Sequence, residues 1–310
     1  MLKVKILGSA AGGGFPQWNC HCDNCRAIWA GGDNVNARTQ SSLAVTVDDE
    51  NWFLLNASPD IRQQIQANPC LFPKKGKRHS PIVGVMLTNA DVDHIGGLLT
   101  LRESHPLAIY ATKRVMGVLG GNSLFNILNP EYVDRRDLPV HQVTELQYKD
   151  GTPSGIEVEL FPVPGKIALY LEDESAGDNF GSVPEDTVGI KITSKESGKH
   201  FYYLPGCSAM PEELAGRVRG SELVFFDGTT WIDEEMIKTG CGVKTGQRMG
   251  HMCMDGPDGS IEAFRDLGVK RKIFIHINNT NPVLMNNSPE RAIANHADWE
   301  IGYDTMEVLL

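Results

Sequence analysis

Two groups of residues in this sequence have the types and spacing to hold a metal. The first is Asn19-Cys20-His21-Cys22-Asp23-Asn24-Cys25, which sets three thiols in a C-x-C-x-x-C pattern. Thiolates favour a borderline-soft ion such as zinc, and a loop this tight can wrap three of them around one tetrahedral centre. The plainer reading is three reduced loop cysteines with no ligand, but thiols this close invite oxidation. A closed site needs a fourth ligand from elsewhere, and His21, flanked by two of the cysteines, is a poor candidate. Metal affinity here becomes folding energy, so the expected role is structural. Cys70, Cys207, Cys241 and Cys253 are isolated in the chain and read as small buried hydrophobes.

The second group is Asn89-Ala90-Asp91-Val92-Asp93-His94, which follows the apolar run Ile82–Leu87. Asp93 and His94 can converge on one ion from a turn at a strand end. Asp91 shares a face with Asp93 if the segment is extended, which makes it a further candidate ligand. An ordinary polar turn would look the same, but a second candidate sits in matching context. His276 ends the apolar run Lys272-Ile-Phe-Ile-His276. Strand ends carry sites because the sheet holds them rigid while loops shape access.

The elements that must position these residues are mostly strands. Short runs rich in Val, Ile, Leu and aromatics occur at Leu2–Leu7, Ser42–Val47, Trp52–Leu55, Ile82–Leu87 and Ala108–Tyr110. More follow at Ile156–Phe161, Thr187–Thr193, Phe201–Leu204, Leu223–Phe226, Ile273–Ile277 and Trp299–Gly302. Helices are expected over Asp60–Ala67, Lys113–Leu119, Asp233–Lys238, Ser260–Leu267 and Pro289–Ala297. Such a pattern suits two packed sheets flanked by helices. Glu172–Asp186 reads as a loop and a candidate flap. No repeat or linker divides the chain, so residues 1–310 are expected to form one domain with a zinc loop at 19–26.

Composition narrows the function classes. Hydrophobic residues make up 41% and charged residues 22%, as in ordinary globular proteins. Acidic residues outnumber basic ones 39 to 29, a net charge of −10, so the basic footprint of a nucleic-acid binder is missing. The short basic run Lys74–Arg78 reads as a solvated face. No stretch approaches the roughly 20 apolar residues of a membrane span, and the N-terminus lacks the pattern of a secretory signal. Seven cysteines without an export signal point to metal rather than disulfides, and to the cytoplasm. Gly8–Gly14 is glycine-rich but has no Gly-Lys-Ser/Thr, which excludes a phosphate-binding loop there.

Asp93-His94-x-Gly96-Gly97-Leu98 after a strand resembles the H-x-H-x-D-H-x-G-G-L signature of the metallo-β-lactamase superfamily. Gly8-Ser9-x-x-Gly12 with Cys20, Cys22 and Cys25 is similar to its phosphodiesterase-like branch, where a three-cysteine structural zinc recurs. The likeness spans nearly the whole chain. It implies an α/β fold, the αββα four-layer sandwich. It also implies that a fourth zinc ligand falls three places after the last active-site histidine, here Asn279. The departures matter more. Asn89 and Asp91 stand where the superfamily has its first two histidines, Lys166 where it has a third, and Cys207 where it has a bridging aspartate. Asp93, His94 and His276 remain, a two-histidine, one-carboxylate set that suits Fe(II) with open positions, or zinc with a bound water.

Four segments together, Cys20–Cys25, Asn56-Ala-Ser-Pro-Asp60, Thr88–Gly97 and Phe225-Phe-Asp-Gly-Thr229, resemble the bacterial branch of that superfamily that acts in pyrroloquinoline quinone (PQQ) biosynthesis. The resemblance implies an oxidoreductase using iron and O2 to hydroxylate the tyrosine ring of a Glu-Tyr-derived precursor, alongside other proteins of that pathway. Its alternatives are carriage or transport of the cofactor without catalysis, and zinc-dependent hydrolysis. His251, in the loop Gly240–Met254, is a candidate base for a phenol or catechol proton. Asp227 is expected mainly to cap the helix after it. Lys166, Arg248 and Arg265 are candidates for pairing with substrate carboxylates, against the blander reading as surface ion pairs. His79, His105, His141, His200 and His296 show no ligand spacing.

Overall fold

The structure, a computed structural model, describes residues 1–177 and 179–310. In chain order its elements begin β1 (Lys3–Gly8), α1 (Asp23–Trp29), β2 (Ser42–Thr46), β3 (Trp52–Leu55), α2 (Ile61–Ala67), β4 (Ile82–Met86), α3 (Val92–Ile95), β5 (Leu107–Ala111), α4 (Lys113–Gly121) and β6 (Val133–Asp137). Then come β7 (Val143–Gln147), β8 (Pro153–Pro162), β9 (Val188–Ser194), β10 (His200–Leu204), α5 (Glu212–Val218), β11 (Val224–Asp227), α6 (Glu235–Lys238) and α7 (Gly246–Met249). The chain closes with α8 (Ser260–Ala263), β12 (Lys272–Ile275), α9 (Pro289–His296), β13 (Trp299–Ile301) and β14 (Glu307–Leu309). The strands form two seven-stranded sheets, in the orders β14-β1-β2-β3-β4-β5-β6 and β13-β12-β11-β10-β9-β8-β7.

The strands read as continuous apolar runs because both of their faces are covered. Side chains alternate with period two, and each face goes to a different core. Leu43, Phe53, Leu55, Tyr203, Phe225, Ile273 and Ile275 pack between the sheets. Their neighbours Ala44, Trp52 and Leu54 face outward beneath α2 and α4, while Tyr202, Leu204, Phe226 and Phe274 face the opposite side with α1, α5 and α9. Burying one such side chain fully is worth about 1.5–3 kcal/mol. Three cores separated by two sheets amount to an αββα arrangement.

The interior strands fall close to their expected positions, whereas no apolar run marks β6, β7 and β14. All three are sheet edges. Their sequences, Val-Asp-Arg-Arg-Asp, Val-Thr-Glu-Leu-Gln and Glu-Val-Leu, carry the polar residues that keep edges from pairing with other chains. The expected helix at Ser260–Leu267 is one turn, ending at Ala263, and α6 starts at Glu235 rather than Asp233. In the stretch 172–186 a 3-10 turn forms at Glu174–Ala176, and Asp178 lies outside the described residues. No helix among the described residues is long and apolar enough to cross a membrane.

Strands β3 to β6 run parallel, as do β10 to β13. Parallel strands present their C-terminal ends at one edge, where crossing loops leave space for a site. The segments holding Asp93 and His94, Cys207, Asp227 and His276 follow or end β4, β10, β11 and β12, so the two sheets deliver them to a common edge.

Candidate metal centre

The turn expected at the end of β4 carries Asp93 and His94, and the segment is not extended. They fall in the short helix α3, with Asp91 at its N-cap. His276 is the first residue after β12 and has φ +56°. That left-handed backbone is uncommon outside glycine and costs on the order of 1–3 kcal/mol, a strain the surrounding contacts must hold. The result is convergence of the three predicted ligands. Asp93 Oδ2 lies 3.1 Å from His276 Nε2 and 3.7 Å from His94 Nε2. The imidazole centroids are 5.4 Å apart with the rings at 74°. His94 Nε2 is buried with no hydrogen-bond partner. A buried polar atom left unpaired is costly, and a cation facing it would satisfy it.

The other ring nitrogens are occupied. Asn89 Oδ1 accepts from His94 Nδ1 at 2.6 Å, and Thr229 Oγ1 accepts from His276 Nδ1 at 2.9 Å. The network thereby assigns both protons to Nδ1 and leaves both Nε2 atoms as lone pairs, the state a metal ligand requires. Asn89, standing where the superfamily has a histidine, thus orients the histidine that remains. Burial pushes His94 down to about 4, against the pull of Asp93. Burial works to raise Asp93, but the His94 charge and the His276 hydrogen bond prevail and hold it well below the usual carboxylate range. His276 moves the other way: burial lowers it, yet the Asp93 carboxylate wins and raises it. The Asp93 carboxylate thus favours positive charge at His276 Nε2, which a divalent cation supplies without a second proton on the ring. The donor set fits such an ion.

Behind the triad, Asp227 has a different role from the expected helix cap. Its Oδ2 accepts from Cys207 N at 2.9 Å and from His251 Nδ1 at 2.6 Å, and its Oδ1 accepts from Thr229 Oγ1 at 2.6 Å. His251 stacks on His276, centroids 5.1 Å apart. Asp227, His251 and His276 are close enough to suggest a second ion, but the Thr229 hydroxyl already bonds all three. We read this group as a hydrogen-bonded support rather than a metal site.

Asp91 lies outside the converging set, and its Oδ1 accepts from Leu169 N at 3.3 Å. Lys166 and Arg248 both pair with Glu172, Arg248 through two contacts of 3.2 and 2.8 Å. Arg265 pairs with Glu262. Cys207 is buried and donates to Ala209 O, so it is a packing residue beside the site.

The thiol cluster lies on the far side of the segment that follows β12. The expected loop around it contains α1, with Cys22 at its N-cap. Asn279 Nδ2 sits 3.1, 3.6 and 3.4 Å from the sulfurs of Cys20, Cys22 and Cys25. As placed, its amide offers a donor to the sulfurs. Burial pushes the Cys25 thiol up to about 12, so a cation is what would favour its thiolate. Cys241, isolated in the sequence, is not isolated in the fold: its sulfur lies within 4.8 Å of those of Cys20 and Cys22. Neither Cys241 nor the Asp227–Thr229 support has a spacing signal, because tertiary folding alone brings them in.

The model of the beta-lactamase superfamily domain matches residues 51–277. The coenzyme PQQ synthesis protein B of Xanthomonas oryzae pv. oryzae is 49% identical over 309 residues, covering all of both chains. The crystal structure of Zn(2+)-bound PqqB from Methylobacterium extorquens superposes with a TM-score of 0.94 at 48% identity, covering 99% of this chain and 100% of that one. A diphosphatase from the PhnP family shares the fold, with a TM-score of 0.68 at 20% identity over 99% of this chain and 96% of its own. With the αββα layers and the site at their shared edge, these matches place the chain in the coenzyme PQQ synthesis protein B family, within the metallo-β-lactamase fold.

Proposed function

We propose that this protein acts in PQQ biosynthesis, as an Fe(II)- and O2-dependent hydroxylase of the tyrosine ring of a Glu-Tyr-derived precursor. The observation that carries this reading is the donor set: one carboxylate and two imidazoles, with His94 Nε2 buried and unpartnered. A ferrous ion held by Asp93, His94 and His276 would supply O2 activation at its open positions. Each turnover places one oxygen atom on a ring carbon and releases the other as water, drawing two electrons from an external reductant.

The chain's own residues bind and move protons. Asp227 holds His251 through Nδ1, which leaves Nε2 as the nitrogen able to take a phenol proton. Lys166 and Arg248 both reach the carboxylate of Glu172, and they are the cations placed to meet a substrate carboxylate. Asn89 and Thr229 fix the imidazoles before any ligand arrives, which lowers the cost of ordering the site.

The test is O2 uptake and product analysis with anaerobically purified, Fe(II)-loaded protein, the cross-linked precursor and ascorbate. Ring hydroxylation should require iron and disappear in Asp93→Ala, His94→Ala and His276→Ala. Equal turnover in those variants sinks the reading. The zinc of the Methylobacterium relative is the observation that favours a second reading, a zinc hydrolase. O2-independent cleavage by the zinc-loaded protein would select it.

A further inference from the structure

Cys241 occupies the turn after α6, and two features fix its backbone there. Its own N–H and that of Gly242 both donate to Met236 O, at 3.0 and 3.1 Å. The helix carrying Met236 is anchored by Glu235, whose buried carboxylate accepts from Trp231 N and from Thr280 Oγ1. The Cys241 sulfur is therefore presented to Cys20 and Cys22 by a built turn rather than a loose loop. A cavity of about 370 Å³ adjoins the cluster, and neither a carboxylate nor an ammonium group lines it. Soft sulfur donors suit zinc, and the other polar lining groups are uncharged amides and a hydroxyl apart from His21.

The sulfurs of Cys20, Cys22 and Cys241 lie within 4.8 Å of one another, and Asn279 reaches the Cys25 sulfur as well as those of Cys20 and Cys22. Asn279 directs its NH2 at three sulfurs, the geometry of N–H···S donation to thiolates that carry negative charge. Cys22 N adds a similar contact to Cys20 Sγ at 3.4 Å. A zinc ion with four thiolates carries an excess of negative charge, which such donors offset.

We propose that Cys241 supplies the fourth thiolate of a closed zinc site with Cys20, Cys22 and Cys25, and that Asn279 stabilises the thiolates without ligating the ion. The site then crosslinks the N-terminal loop to the turn that leads through α7 to His251. The assignment rests on the thiol loop holding zinc, and stands or falls independently of the hydroxylase reading.

The test exchanges zinc for Co(II) in the full-length protein and reads the thiolate-to-cobalt charge-transfer band, whose intensity follows the number of thiolates. Cys241→Ser should lower that band by about a quarter, since one of four sulfurs is lost. It should also weaken zinc retention against a competing chelator by about tenfold or more. Asn279→Ala should keep the full band. Cys241→His keeps a ligand and should regain zinc retention, which also covers a serine variant that fails to fold. Hydrogen exchange over residues 239–251 should quicken in Cys241→Ser. An unchanged band and unchanged zinc retention in Cys241→Ser overturn the proposal. Loss of the ion in Asn279→Ala with retention in Cys241→Ser overturns it in favour of the amide.

Discussion

The two clusters differ in what surrounds them and in which parts of the chain they join. The Asp93, His94 and His276 site is a mixed carboxylate and imidazole set whose rings are held from behind, His94 by Asn89 and Thr88 and His276 by Thr229. It sits on sheet edges that three apolar cores make rigid. The thiol cluster draws Cys20, Cys22 and Cys25 from the N-terminal loop and α1, and packs them against Asn279. One is a preformed socket with positions to spare. The other is a clasp whose parts gain order from whatever fills it. The fold can therefore tolerate losing ligands at the first far better than at the second.

The largest expected effect breaks that comparison directly. Cys25→Ser should lower stability by several kcal/mol, on the order of 3 or more, because zinc affinity at the clasp is folding energy. A thermal melt with and without chelator checks it, and a melt as robust as the parent's would erase the distinction. His276→Ala should reduce metal affinity at the triad by at least about 100-fold, since it removes a ligand itself. Its melting temperature should move by only a few degrees, because the sheet edge that carries the triad is held by the buried apolar cores on either face. Calorimetric metal titration beside the melt separates the two outcomes.

A smaller loss is expected from Asn89→Ala. It leaves all three ligands but only the longer Thr88 contact at His94 Nδ1, so affinity should fall about 10- to 100-fold while zinc at the thiol cluster is unchanged. Metal analysis after dialysis reads both. The smallest effect concerns pH. The Arg248 hydrogen bonds, with Lys166, pull Glu172 down to about 2 against an ordinary value of 4.5. Its contribution is fully present above about 4.5 and is lost as pH falls from there towards 2. Glu172→Gln should flatten that acid limb of the stability curve and leave both metal sites loaded at neutral pH.

The sequence made the triad legible because Asp93-His94 and His276 each follow an apolar run, and the Cys20–Cys25 spacing is dense enough to read alone. What escaped has physical causes. Edge strands β6, β7 and β14 carry the charge that hides them from a search for apolar runs. Helix α1 was masked by a run of Cys, Asn and Asp, types that favour turns when seen without their packing. Asp227, Thr229 and Cys241 act through partners far along the chain, so no local spacing marks them. Lys166 and Arg248 were singled out for charge, but their pairing with Glu172 is a tertiary fact.

Asn279 lies only three positions beyond His276, and a short strap of backbone joins the two. Ile277 on that strap exchanges hydrogen bonds with Ser9 and Ala11 of the glycine-rich loop. Loading either end restrains the same few peptide units. Thermodynamic reciprocity then fixes a relation between the cations: whatever factor the clasp's occupant contributes to retention at the triad, the triad's occupant returns in full.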